Sequence, residues 1–276
     1  MTVFMAFCSL IPMRALSLPG CACRGAFQFG VMARLAAQGE RFDVVAGASS
    51  GSICAAVTVA GLAEEGPAMW RSFMSTPVVS ARYLRSERSV FGMSVILKNA
   101  LERFLPEERL HDTEAELLVA TTHARRFALG GRDSLVVHSN RTRRAMHEVI
   151  LASCYIPILY ARVPRVDGEV HIDGGAADNT LIDELIARGA DDITVVTPFT
   201  GGAVARTIFT TETPPKARKG VRLRIISPER RLSQRRFDFA PGPLEEALAM
   251  PHVELVIEGK VPVPHAPLGA GSSLVG

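Results

Sequence analysis

Short hydrophobic runs alternate with segments of helical periodicity along the first part of the chain. Residues 15–18 form an apolar run that predicts a strand, and the apolar positions of residues 26–38 recur at helical spacing up to a glycine C-cap at Gly39. Residues 42–46 predict a second, buried strand, and residues 53–60 predict a helix of small side chains. This order of strand, helix, strand and helix favours parallel pairing of the strands.

The same alternation continues toward the C-terminus. Residues 64–110 carry aromatic side chains without strand alternation, so we predict helices and loops there that form a cap over a site. Further strands are predicted at 117–121, 134–138, 169–172, 193–197 and 222–226, and further helices at 143–153 and 180–188. The pattern predicts an α/β fold with a mainly parallel central sheet and helices on both faces.

Length and composition favour one globular unit. The chain has 276 residues, of which 47% are hydrophobic, and this is enough to bury a substantial core. We expect a catalytic core over residues 14–200, with residues 201–260 as the C-terminal part of the same domain. Residues 261–276 are rich in Pro, Gly and Ser, which predicts a flexible tail.

Charge and cysteine content exclude several classes of protein. A net charge of +3 is too small to indicate nucleic-acid binding, although it permits weak attraction to anionic lipid surfaces. The five cysteines are odd in number and lack zinc-ligand spacing, so we expect no metal site, no disulfide framework and a reducing, cytoplasmic compartment. The first twelve residues make a poor signal peptide, and no run reaches the ~18 apolar residues of a membrane span. We therefore expect any membrane contact to be peripheral.

One pentapeptide carries the clearest chemistry. Gly47-Ala48-Ser49-Ser50-Gly51 matches the G-x-S-x-G nucleophile elbow, and it stands between a predicted strand and a predicted helix. The glycines permit a tight turn, and the helix N-terminus favours the negative charge that develops on an attacked carbonyl. A tight strand-to-helix turn without chemistry is the simpler interpretation of the same residues.

A serine nucleophile needs a base, and Asp173 is the leading candidate. It ends a predicted strand and is followed by Gly174 and Gly175, which permit close approach of the backbone. An aspartate in this position can instead cap the following helix.

A third segment follows the first predicted strand. It is a turn that can aim backbone N–H groups at an oxyanion, and it consists of Gly20, Cys21, Ala22, Cys23, Arg24 and Gly25. A dinucleotide site is disfavoured there because the G-x-G-x-x-G pattern fails at Ala22.

Taken in order, these segments resemble the patatin-like phospholipase family over roughly residues 14–198. The stretch from Ala152 to Pro157 and Asn179 add to the likeness. The resemblance implies a three-layer sandwich, no cofactor, and cleavage of phospholipid or other acyl esters by a Ser49–Asp173 dyad without a histidine. It also implies oxyanion donors around Cys21 and Ala22 together with the Ser50 N–H, and a supporting role for Arg24.

The resemblance has one departure, which leaves two alternatives open. The family usually has consecutive glycines where this chain has Cys21 and Ala22, and a positive φ there would be strained by a Cβ. Such strain would lower activity, and a non-catalytic lipid-binding protein is one alternative. The other is a Ser-Asp-His triad in which His252 supplies the imidazole.

Overall fold

The computed structural model describes residues 12–129, 132–156, 159–198 and 215–259. The expected tail at 261–276 lies outside the described residues, as do parts of 201–260. The helices, numbered α1 to α9, are Gly25–Ala37, Ser50–Val59, Gly66–Met74, Leu84–Glu87, Met93–Phe104, Ala124–Ala128, Met146–Ser153, Ile182–Ala187 and Pro241–Ala249. The strands, numbered β1 to β9, are Arg14–Leu18, Val44–Gly47, Glu116–His123, Leu135–Ser139, Arg165–Val166, Glu169–Asp173, Asp192–Val196, Arg222–Pro228 and His252–Glu258.

The strands form one mixed sheet, in which hydrogen-bonded neighbours follow the path β5-β6-β3-β2-β1-β7-β8-β9 and β4 is also paired to β3. The central pairings β3-β2, β2-β1, β1-β7 and β7-β8 are parallel. Antiparallel pairings lie at the two flanks, where β4 and β6 join β3 and β9 joins β8. The predicted mainly parallel sheet is therefore confirmed, with antiparallel additions.

Two hydrophobic clusters cover the two faces of the sheet. The larger cluster combines α1, α2, α3, α5, α7 and α9 with residues of the sheet, and Phe27, Phe29 and Leu97 are among its fully buried side chains. The smaller cluster is built on the other face around α8, with Ile182 and Leu185 buried. Helices thus lie on both faces, as predicted.

The C-terminal elements pack into the larger cluster. Helix α9 lies directly on α1, because a Cβ on Gly30 would lie 2.0 Å from the carbonyl oxygen of Leu248. The sequence pattern predicted neither α9 nor β9. Within the described residues, no helix has both the length and the apolar character needed to cross a membrane.

Candidate active site

Ser49 lies in a tight turn between β2 and α2. Its backbone has φ 51° and ψ −133°, a conformation that a residue with a side chain rarely adopts. The flanking glycines make the turn possible: a Cβ on Gly51 would lie 1.9 Å from the Leu18 carbonyl oxygen, and a Cβ on Gly47 would lie 2.5 Å from the Gly51 carbonyl oxygen. The turn has the geometry that a nucleophile elbow requires.

Two hydroxyl groups fix the backbone of Ser49. The Ser49 N–H donates to Ser153 Oγ at 2.8 Å, and the Ser49 carbonyl accepts from Ser52 Oγ at 2.6 Å. Ser153 belongs to the small-residue stretch singled out in the sequence. This hydrogen bond gives the stretch a structural role, because it stabilises the strained backbone of Ser49.

The strand pairing of the sheet places Asp173 next to the turn that carries Ser49. Strand β4 is hydrogen-bonded along one side of β3. Strands β2 and β6 therefore both lie on the other side of β3, end to end. There, Gly47 of β2 pairs with Val119, and Asp173 of β6 pairs with Thr121. These partners are two residues apart on β3, which is about 7 Å. Antiparallel β6 therefore ends where β2 turns into the Ser49 elbow.

The Asp173 carboxylate lies close enough to the Ser49 hydroxyl for that group to lower its pKa as a hydrogen-bond donor. It also accepts from the Gly175 N–H at 2.9 Å, so the same side chain caps the short helix that follows. Asp173 keeps some exposed surface, but the protein around its carboxyl group raises its pKa to about 7, against the lowering effect of both hydrogen bonds. Gly174 is required here, because a Cβ would lie 2.2 Å from the Ala120 carbonyl oxygen.

The turn after β1 packs against the elbow. A Cβ on Gly20 would lie 2.6 Å from the Cβ of Ser49, so only glycine fits. Asn179 clamps this residue in both directions: its Oδ1 accepts from the Gly20 N–H at 2.7 Å, and its Nδ2 donates to the Gly20 carbonyl at 3.1 Å. The Gly20 N–H is therefore already engaged.

The departure from the glycine pattern has a different effect at its two positions. Ala22 has φ +55°, so its Cβ is strained as expected. Cys21 has φ −151°, which any residue adopts, and the strain expected there is absent. The Cys21 N–H donates to Ser50 Oγ at 3.0 Å instead of facing the cavity.

The backbone donors that remain are fewer than the sequence suggested. The Cys23 N–H donates to the Arg236 carbonyl at 2.9 Å. Within the part of the chain that the structure describes, the N–H groups of Ala22 and Ser50 have no hydrogen-bond partner. Ala22 and Ser50 both line the cavity that contains Ser49.

Arg24 supports the turn from its outer side. Its Nε donates to the Gln234 carbonyl at 2.9 Å, and this bond ties the turn to the segment 234–239. The motifs did not reveal this segment, which nevertheless places Phe237 and Phe239 in the wall of the cavity at Ser49. No local pattern in the sequence marks these two residues as part of a site.

An apolar cavity opens beside Ser49. Its walls come from the turn, the elbow, the helices α3 and α5, and the two C-terminal phenylalanines; it is lined by Ala22, Cys23, Ser49, Ser50, Ile53, Trp70, Phe73, Met74, Met93, Leu97, Cys154, Ile156, Tyr160, Phe237 and Phe239. A second apolar cavity continues from it between α2, α3 and α5, and the two share Ile53, Trp70, Phe73 and Leu97. The predicted cap over the site is thus formed by α3 and α5.

Other candidate nucleophiles and bases are excluded by their surroundings. Burial raises the pKa of Cys21 and of Cys23 to about 12, so both remain thiols. His252 lies on β9, four strands from β2, which is about 19 Å across the sheet. The triad alternative is therefore wrong. The described residues contain no cluster of side chains that could hold a metal ion.

A family model for patatin-like phospholipases matches residues 16–186, which is more than half of the chain. The chain belongs to the patatin-like phospholipase family. Among solved structures, it is similar to VipD from Legionella pneumophila at 14% identity and a TM-score of 0.42, over 70% of this chain and 51% of that one. The chain thus spans about half the length of that structure. A comparison with curated proteins found no match.

Proposed function

We propose that this patatin-like protein is a phospholipase A-type lipid acyl hydrolase that cleaves carboxylic esters through Ser49 and Asp173. The observation that carries the proposal is the juxtaposition of the two residues: β6 ends at the elbow, and the Ser49 hydroxyl acts as a hydrogen-bond donor on the Asp173 carboxyl group, whose pKa burial raises to about 7. A carboxylate with this pKa is a far stronger base than an ordinary aspartate, and at neutral pH a large fraction of it is ionised.

The reaction proceeds in two acyl-transfer steps. Asp173 accepts the hydroxyl proton while Ser49 Oγ attacks the ester carbonyl carbon, and the tetrahedral intermediate carries its charge on the former carbonyl oxygen. The bond to the alcohol then breaks, and the proton held by Asp173 passes to the leaving oxygen. Water attacks the acyl-enzyme in the same way, with Asp173 taking its proton and returning it to Ser49 Oγ as the fatty acid leaves.

The Ala22 and Ser50 N–H groups stabilise the oxyanion. Both groups are preorganised, because Ala22 lies in a turn held by Asn179 and Arg24, and Ser50 begins α2. Ser50 also gains from its place at a helix N-terminus, where the helix dipole favours negative charge.

The substrate is a phospholipid or another acyl ester with a hydrophobic chain. The two adjoining cavities are lined almost entirely by apolar side chains, so they accept an acyl chain. Next to the first cavity, an apolar surface groove includes Val79 and Phe237, which are 60% and 55% exposed. This groove supports peripheral contact of a cytoplasmic protein with a lipid surface, and the reaction requires no cofactor.

A non-catalytic lipid-binding protein is the second candidate, and one observation favours it. Ala22 is strained and the Cys21 N–H is occupied by Ser50 Oγ, so this N–H is not available to an oxyanion. A weak oxyanion hole combined with an apolar cavity would bind lipid without turning it over.

A fluorophosphonate probe tests the proposal, because it forms a covalent bond only with an activated serine. We expect labelling to map to Ser49, and we expect Ser49→Ala to lose both labelling and ester hydrolysis. Ser94→Ala is a suitable control, since it removes a buried hydroxyl of α5 that lies outside the cavity. Labelling of another serine would overturn the nucleophile assignment, and a folded wild type that neither labels nor hydrolyses would favour the lipid-binding candidate.

A further inference from the structure

Tyr160 places a buried hydroxyl group in the cavity beside Ser49. The residue is 7% exposed, and its Oη has no hydrogen-bond partner among the described residues. A buried polar group without a hydrogen-bond partner destabilises the folded protein. Such a group therefore indicates a site where another molecule supplies the partner. Since Tyr160 and Ser49 line the same cavity, a molecule that occupies the cavity can supply it.

Tyr160 lies within electrostatic reach of Asp173. Burial, with a smaller contribution from the Asp173 charge, holds the pKa of Tyr160 well above its usual value. Tyr160 is therefore a permanent hydrogen-bond donor at neutral pH. The available oxyanion donors, Ala22 and Ser50, belong instead to the turn and the elbow.

Trp70 Nε1 is a second buried donor without a partner among the described residues. Trp70, however, lines both cavities and stacks on Phe29 at 4.8 Å between ring centroids, which places it along the acyl path. Tyr160 lines only the cavity that contains Ser49 and packs edge-on against Tyr155 at 5.4 Å. Of the two donors, Tyr160 is the one placed for the reacting ester.

We propose that the Tyr160 hydroxyl is a further catalytic group, which donates a hydrogen bond to the leaving oxygen of the ester during acylation. The proposal rests on the proposed Ser49–Asp173 function. A dyad without imidazole leaves a single carboxyl group to collect the Ser49 proton and deliver it to the departing alcohol. A second donor in the same cavity stabilises the negative charge that grows on that oxygen before the proton arrives.

The step balances without any additional reactant. The bond from Ser49 Oγ to the acyl carbon forms, the bond from the acyl carbon to the leaving oxygen breaks, and the proton passes from Ser49 through Asp173 to the leaving oxygen. Tyr160 keeps its own proton throughout. Its hydrogen bond strengthens only as charge builds up, so it acts on the rate of acylation and little on binding.

The test compares two esters of the same short fatty acid, an alkyl ester and a 4-nitrophenyl ester. A nitrophenoxide leaves readily without a hydrogen bond, whereas an alkoxide does not. We expect Tyr160→Phe to lower kcat/KM for the alkyl ester by about 100-fold and to leave kcat/KM for the nitrophenyl ester nearly unchanged. Because both esters give the same acyl-enzyme, the difference reports the leaving group alone.

Tyr155→Phe is the matched control, since it removes the hydroxyl of the neighbouring ring, and we expect no selective loss. Tm of Tyr160→Phe is expected to equal or exceed that of the wild type, because the variant removes an unpaired buried hydroxyl. An equal loss on both esters, or no loss on either, would overturn the inference. If nitrophenyl ester hydrolysis survives Ser49→Ala, the proposed function fails instead, so the two failures are distinct.

Discussion

At the scale of single residues, the protonation of Asp173 controls the proposed reaction. Its pKa is raised to about 7 by burial, and only the ionised form accepts the Ser49 proton. We expect kcat/KM to be constant above about pH 7 and to fall about tenfold per pH unit below it. Asp173→Asn should abolish turnover at every pH. A wild-type profile that stays flat down to pH 5 would contradict the assignment of Asp173 as the base.

The same shift predicts how stability depends on pH. The pKa of Asp173 is higher in the folded protein than the ordinary aspartate value of 3.8, so folding favours the protonated form. Stability from this group is complete below about pH 4 and is lost as pH rises through about 7. Asp173→Asn removes the buried charge, so Tm of the variant should exceed Tm of the wild type by more at pH 8 than at pH 5. Equal differences at the two pH values would show that the carboxyl group is not desolvated.

Ala22 and Cys21 offer a second test at this scale, because only one of them is strained. Ala22→Gly removes a Cβ from a residue with φ +55°, which relieves about 1 kcal/mol of strain. We expect the variant to gain turnover on a short-chain ester, by less than about tenfold. Cys21→Gly is the control, since φ −151° is already relaxed and added glycine only loosens the turn. A lower rate for correctly folded Ala22→Gly would show that the alanine is an adaptation of the site.

Local sequence identified the residues that follow a motif and missed those that do not. Ser49 and Asp173 were predicted because each stands at the end of a predicted strand beside glycines, and the structure brings the two side chains together. Tyr160, Phe237 and Phe239 carry no such pattern. They reach the cavity through tertiary packing alone, so only the folded structure reveals them.

At the scale of secondary structure, the hydrophobic pattern predicted most of the elements but not their pairing. Buried strands such as β1 and β2 and the helix α1 were predicted to within two residues at each end. The antiparallel direction of β6 could not be predicted, because alternation of strands and helices indicates parallel pairing by default. That direction matters, since it ends β6 at the elbow and delivers Asp173 to Ser49.

The C-terminal elements were missed for a different reason. Helix α9 begins with Pro241 and Pro243, and no element was predicted there from the sequence, although proline fits the first turn of a helix. Strand β9 is largely exposed, with Val253, Leu255 and Val256 each more than two-fifths exposed, and such a strand lacks the contrast between buried and exposed positions. Helix α9 nevertheless follows directly on the segment 234–239, which supplies Phe237 and Phe239 to the cavity.

At the scale of the whole molecule, we predict that residues on both sides of position 200 unfold as one cooperative unit. The larger core cluster joins Phe27 and Trp70 to Ile226 and Leu248, so neither part can bury its apolar surface alone. Leu248→Ala should destabilise the protein by about 2–5 kcal/mol, because it leaves a cavity between α9 and α1.

Trp70 is the single tryptophan, so its fluorescence reports the N-terminal part during denaturation. In Leu248→Ala we expect the denaturation midpoints measured by tryptophan fluorescence and by far-UV circular dichroism to fall together. Leu255→Ala lies at an exposed position of β9, so it should shift neither midpoint. A fluorescence midpoint that stays at the wild-type value in Leu248→Ala would mean that the C-terminal part is a separate unit.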